Sequence, residues 1–206
     1  MKFSGENIYS LSIYEYLLIL SPHEDLQNRI MDIKKDFAEK YSMPEALHSK
    51  PHLTLANFLQ YDMMEPRIVT RLHAAALSCR PIKIELNNFG SFPSHTIYIN
   101  VTSKVPLQNL IKTIRHQSQR LMKINKDNKP HFMMEPHFTI ARKLQPWQYE
   151  KGWLEYEHKN FTASFIAREM VLLKREMGTM KYRKVAAFQF AEQPVVMQQG
   201  SLFMSL

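Results

Sequence analysis

Glycine is scarce. There are five in 206 residues, at Gly5, Gly90, Gly152, Gly178 and Gly200, and none lies near another. Loops that cradle phosphates in P-loop or dinucleotide-binding proteins need clustered glycines, so that backbone N–H groups can approach the phosphates closely. Walker-type ATP chemistry and standard dinucleotide binding are therefore excluded, as is the G-x-S-x-G elbow of serine hydrolases. Cysteine is scarcer still. Cys79 stands alone, which rules out an intrachain disulfide framework and any Cys-rich zinc module and suits a reducing compartment. No run of about 18 apolar residues occurs, so no membrane-spanning helix is expected. The apolar stretch at 14–20 contains Glu15 and lacks the pattern of a secretory signal, which makes the cytoplasm the expected location. Acidic residues are outnumbered, 19 against 27 Lys and Arg, and the formal net charge of +8 favours an anionic partner or simply solubility.

What is present is ordinary globular sequence, and its length allows one large domain or two lobes of about 100 residues each. Residues 1–12 read as a polar lead-in. Residues 16–20 read as a buried strand, followed by Ser21-Pro22-His23-Glu24, a capping-box signature. Leu26, Ile30, Ile33, Phe37 and Tyr41 then recur at steps of three and four, the stripe of an amphipathic helix over 23–41. A strand is expected over 52–59, a weaker helix over 67–79, an alternating strand over 82–86, a turn region over 87–94 and a strand over 96–101. A helix over about 106–122, a polar loop over 123–129, a strand over 137–144 and a short helix over 146–156 follow. Residues 161–176 and 182–190 read as strands around a turn at Gly178, and 191–206 as a tail.

The sequence contains an internal repeat. A strand–helix–strand unit ends in Pro51-His52-Leu53-Thr54-Leu55-Ala56, and a second ends in Pro136-His137-Phe138-Thr139-Ile140-Ala141. The approximate repeats are 14–80 and 96–160, closed by a hairpin over 161–190, within one two-lobed domain. Two copies point to a pseudo-two-fold axis; a solenoid needs three or more. Each copy holds His-x-Thr in an apolar strand. Strand side chains alternate faces, so His52 shares a face with Thr54, and His137 with Thr139. A pseudo-two-fold axis would let these polar faces meet across a cleft. Two imidazoles and two hydroxyls suit phosphodiester chemistry. An unperturbed His titrates near pH 6.5, so one ring can accept a proton while the other donates one, and hydroxyls can donate to non-bridging phosphate oxygens. The chemistry needs no metal or other cofactor.

These motifs resemble the paired H-x-T motifs of the two-histidine phosphoesterase superfamily, and most closely its 2'-5' RNA ligase-like (cyclic phosphodiesterase) branch. The Gly90-Ser91-Phe92-Pro93 turn and the hairpin ending Lys181-Tyr182-Arg183 extend the resemblance to about residues 14–190. It implies an α+β, bilobal, duplicated fold of two antiparallel-sheet lobes with helices outside and a central cleft. It implies hydrolysis, or reversible formation, of 2',3'-cyclic or 2'-5' phosphodiesters in RNA or nucleotides. Carried over by position, His52 and His137 are the catalytic pair, and Thr54 and Thr139 bind phosphate. Arg142 is a candidate phosphate contact, helped by the fit of a guanidinium to phosphate. Asn57-Phe58 departs from a typical first motif.

Phe92 and Tyr182 are candidates to stack a base, with core or hairpin packing as the alternative. A metal site is not expected: His48 precedes His52 by four residues, but Pro51 argues against a helix presenting both, and no carboxylate cluster accompanies them. The basic residues between Lys112 and Lys129 read as a solvated face, with guidance of RNA phosphates as the alternative. No membrane and no obligate protein partner is implied. A non-catalytic RNA-binding protein on the same scaffold, and an enzyme acting on small nucleotides without RNA, remain the competing readings.

Overall fold

A computed structural model describes residues 12–192. All but the last residue of the lead-in expected over 1–12, and most of the expected tail, lie outside the described residues. Nine strands form two antiparallel sheets among the described residues, with four α-helices. The first sheet contains β1 (Ile13–Leu20), β2 (Leu53–Tyr61), β5 (His131–Phe132), β8 (Glu169–Glu176) and β9 (Arg183–Gln189), in the order β5-β2-β1-β8-β9. The second contains β3 (Ile82–Phe92), β4 (Thr96–Val101), β6 (His137–Arg142) and β7 (Thr162–Ala167), in the order β6-β4-β3-β7. The helices are α1 (Glu24–Lys40), α2 (Glu65–Leu77), α3 (Lys104–Ser118) and α4 (Pro146–Tyr156). No described helix is long and apolar enough to cross a membrane.

The two units β1–α1–β2 and β4–α3–β6 each close an antiparallel strand pair within one sheet. Their helices do not stay with their own strands. The helix α1 packs on β6 of the second sheet, where Gly152 of α4 gives it room: a Cβ there would sit 2.9 Å from Phe37 and 3.2 Å from Ile97. The helix α3 lies against α2, and α2 against β9, on the first sheet. Exchanged helices bind the two sheets to each other, because burying the α1 stripe covers the sheet its own strands do not belong to.

Several sequence expectations change in the structure. The capping box at Ser21 does not form. His23 is the N-cap, still extended at φ −63° and ψ 162° and without a side-chain cap bond, so α1 starts at Glu24. Gln27 instead ties the entry by donating to the Pro22 carbonyl at 2.7 Å. The 87–94 region is strand for most of its length, because Asn88 takes a left-handed φ of 56° and absorbs an irregularity in the ladder, after which pairing to β4 resumes at Phe89. The run 161–176 is two strands. The chain passes from the second sheet to the first at Arg168, whose carbonyl accepts from the Phe190 N–H at 2.8 Å. The two-residue β5 lies just beyond the stretch read as a polar loop.

Candidate active site

The histidine strands β2 and β6 belong to different sheets, and they touch. Each carries a bulge at the same place in its motif. Across β1, Ile19 pairs with Thr54 and Leu18 with Ala56, so Leu55 is the extra residue; across β4, Tyr98 pairs with Thr139 and Ile97 with Ala141, so Ile140 is the extra residue. A bulge advances the alternation by one. Both residues on each side of the bulge point are therefore buried, Leu55 with Ala56 and Ile140 with Ala141. The face that carries Thr54 reappears at Asn57, and the face that carries Thr139 reappears at Arg142. Asn57 thus occupies the place in the first motif that Arg142 occupies in the second.

Each ring is held the same way. The Nδ1 of His52 lies 2.8 Å from the Lys50 carbonyl, and the Nδ1 of His137 lies 2.7 Å from the Glu135 carbonyl. A carbonyl oxygen only accepts, so Nδ1–H is the donor in both rings, and each neutral imidazole keeps its lone pair on Nε2. The Thr54 and Thr139 side chains are half-buried, and neither hydroxyl bonds another group among the described residues. Arg142 is exposed and has no carboxylate partner among the described residues.

The surroundings of the two rings differ in sign. Burial lowers the pKa of His52 below the ordinary histidine value. The Lys50 carbonyl works against that shift, and the charges of Lys34 and Arg142 add to it. Burial also lowers that of His137, opposed by the Glu135 carbonyl and the Glu135 charge. Cations therefore face one ring and a carboxylate the other, an arrangement that separates acid from base character.

Lys34 is a residue that sequence reasoning missed. It is 2% exposed on α1 and donates to both the carbonyl and, at 3.2 Å, the hydroxyl of Ser49, in the segment that leads to His52. Burial, with the Arg142 charge, lowers its pKa to about 8. The signal was present: 34 falls in the apolar stripe between Ile30 and Phe37, and the structure buries it there while Ile33 is only half-buried. Lys34→Met is expected to move the His52 titration upward in pH, toward the ordinary value, as followed by imidazole proton NMR. An unchanged titration would contradict the electrostatic link.

Phe92 stands beside His137, ring centroids 5.0 Å apart and edge-on, and 4.7 Å from Tyr98, whose own ring is 4.7 Å from His137. Tyr98 was also missed, although the alternation Thr96, Tyr98, Asn100 marked one face of β4. Gly90 is what lets those side chains lie across the strand, since a Cβ there would come within 2.5 Å of Asn100 and 2.7 Å of Tyr98. Tyr182 is more committed. Its hydroxyl donates to Glu15 at 2.8 Å, and the Arg175 guanidinium lies 4.6 Å from its ring centroid, so a base would have the opposite ring face. Among the described residues no group of three or more His, Cys, Asp or Glu side chains is arranged to hold a metal ion.

The sequence matches the 2'-5' RNA ligase superfamily over residues 22–179, most of the chain. The protein belongs to this superfamily of two-histidine phosphoesterases. A relative from Geobacillus thermodenitrificans, provisionally named a phosphoesterase, is 28% identical over 170 residues, covering 80% of this chain and 91% of the relative. Two solved structures share the fold. Escherichia coli LigT, crystallised with 3'-AMP, aligns with a TM-score of 0.58 at 16% identity over 87% of this chain and 98% of its own. TT0787 of Thermus thermophilus aligns at 0.61 and 14% identity over 87% of this chain and 100% of its own.

Proposed function

We propose that the protein hydrolyses, or reversibly forms, 2',3'-cyclic or 2'-5' phosphodiester bonds of RNA or nucleotides, with His52 and His137 as the acid–base pair and without a metal. The observation that carries this reading is the matched tautomer: two imidazoles, one just before β2 and one at the start of β6, two strands that touch, each with Nδ1–H spent on a backbone carbonyl and Nε2 left for substrate. In hydrolysis of a cyclic phosphate, one Nε2 takes a proton from water as its oxygen bonds to phosphorus. The other imidazolium gives its Nε2 proton to the ribose oxygen as the P–O bond breaks. The water proton ends on the first ring, and exchange with solvent resets both. Reversal exchanges the roles. Thr54 and Thr139 donate to the non-bridging oxygens, and Arg142 supplies countercharge. The lone thiol Cys79 suits a cytoplasmic setting.

The test is a panel of 2',3'-cyclic nucleotides, cyclic-phosphate-ended oligoribonucleotides and 2'-5' linked dinucleotides, each run with and without a chelator. Turnover of at least one member, undiminished by chelator, is expected. No turnover on any member would overturn the reading and leave a binding protein on this scaffold.

A pH prediction follows from the lowered histidine pKa values. In the free protein both pKa values lie below about 6.5, and kcat/KM reports free-enzyme groups. Its profile is therefore expected to be a bell centred on the acid side of pH 6.5. A bound phosphate anion favours imidazolium and raises both values, so the kcat profile should lie at higher pH than that of kcat/KM. Coincident profiles centred above pH 8 would contradict this.

A further inference from the structure

Some surface cations have carboxylate partners, among them Lys35, Lys40, Lys83, Lys104 and Lys159, and others, such as Arg67, Arg71 and Lys181, are in no ion pair among the described residues. One set of unpaired cations is gathered in a groove. Arg115 in the last turn of α3, with Arg120, Lys123 and Lys129 in the segment that follows, lines a groove of about 440 Å³ together with His131 of β5. All five side chains are exposed, the lining contains no carboxylate, and none of the five is in an ion pair among the described residues. Arg115 is braced, its guanidinium 5.9 Å from the Phe132 ring centroid and its Nε donating to Gln119 at 3.4 Å.

The groove's position is what gives it a role. β5 is the edge strand beside β2, and His131 pairs with Asn57 while Phe132 pairs with Ala56. Directly opposed residues of an antiparallel pair share a face. Phe132 therefore goes to the core with Ala56, and His131 goes to the face that carries Asn57 and, before the bulge, Thr54. Three residue steps at about 3.3 Å each put Asn57 about 10 Å along β2 from Thr54. The rim of the groove at His131 thus lies on the same sheet face as the first H-x-T motif, one strand further out, while Arg115, beside Phe132, flanks the same sheet edge from the other face. A second groove, of about 570 Å³, lacks this character: it contains Glu157, and its Lys104 is bonded to Glu135.

We propose that this groove is a phosphate track for the chain of a single-stranded polynucleotide whose reacting phosphodiester lies between His52 and His137. The natural substrate is then an oligoribonucleotide. The proposal rests on the reading of the cleft given above and adds a second site to it. Four unpaired cations along a groove neutralise successive phosphates, whereas a lone terminal phosphate needs only the cleft. A concave groove also suits a strand better than a bilayer, which would meet a flat or convex face.

The experiment compares wild type with R115S/R120S/K123S/K129S. It measures fluorescence anisotropy with a labelled 12-nucleotide RNA ending in a 2',3'-cyclic phosphate over a range of salt, and turnover of 2',3'-cyclic AMP. The expected result is RNA affinity weaker by about 100-fold at low salt and a salt slope smaller by about 0.7 for each phosphate no longer neutralised. Turnover of cyclic AMP should stay unchanged. The loop pair K123E/K129E should shift affinity in the same direction, and the control K112S, on α3 but outside the groove, should leave it alone. RNA affinity and salt slope equal to wild type in both groove variants would overturn the proposal. So would unchanged RNA binding alongside abolished binding to phosphatidylserine vesicles. If wild type turns over neither cyclic AMP nor the cyclic phosphate of the RNA but RNA binding still depends on the groove, the track stands and the cleft reading falls.

Discussion

Alanine at His52 or at His137 is expected to lower kcat by about 10²–10⁴-fold on whichever cyclic or 2'-5' substrate the protein turns over, since each ring supplies one proton transfer. The two losses should not multiply. Once one ring is gone the other has no partner step to complete, so the double variant should be little worse than the poorer single variant. Folding should survive. Each ring is half-buried and contributes one hydrogen bond, to Lys50 or to Glu135, worth about 1 kcal/mol. Single-turnover kinetics alongside thermal melting separate the two effects. Near-wild-type turnover in either alanine variant would make that ring a bystander, whatever its position in the repeat.

The largest expected loss of stability comes from the far side of the first sheet. Lys174 on β8 is 5% exposed and bonds Asp62 at 2.6 Å and Glu65, while the Tyr16 hydroxyl donates to Glu65 at 3.0 Å. Burial works against the charge of Lys174, yet the two carboxylates hold its pKa above the ordinary value. Lys174→Ala strands both carboxylates at the start of α2. Breaking a buried pair in this way costs about 3–5 kcal/mol, and the partial exposure of Asp62 and Glu65 puts the expected loss near the lower end, about 3 kcal/mol. Urea unfolding measures it, and a loss under about 1 kcal/mol would contradict the account. Lys174 shares the core face of β8 with Leu172, away from the histidines, so the folded fraction should keep its kcat.

Much of this was legible because the repeat is strong. The H-x-T pairs stand in apolar strands, so the faces of Thr54 and Thr139 followed from alternation alone, and α4 was placed by Pro146 at its first position. The bulges were harder. Leu55-Ala56 and Ile140-Ala141 read as neighbours on opposite faces, and only the pairing with β1 and β4 shows that both members point inward. That shift sets Asn57 and Arg142 in matching places, a relation that spacing could hint at but register had to establish. The exchange of α1 and α3 between sheets was also beyond local pattern, since a stripe says that a helix face is buried and not which sheet buries it. Lys34 and the split at Arg168 were missed for a similar reason. Burying a lysine depends on acceptors at Ser49, and changing sheets within one extended run depends on partners far away in sequence.

The central claim is that two like-oriented imidazoles address one phosphorus. The most direct measurement is a long-range proton–nitrogen NMR spectrum of the histidine rings, recorded near pH 7 before and after adding 3'-AMP. Before addition, both His52 and His137 should show a protonated Nδ1 and an unprotonated Nε2. After addition, both Nε2 signals should move toward the protonated position together. Movement of one ring only, or of neither at saturating nucleotide, would contradict the account.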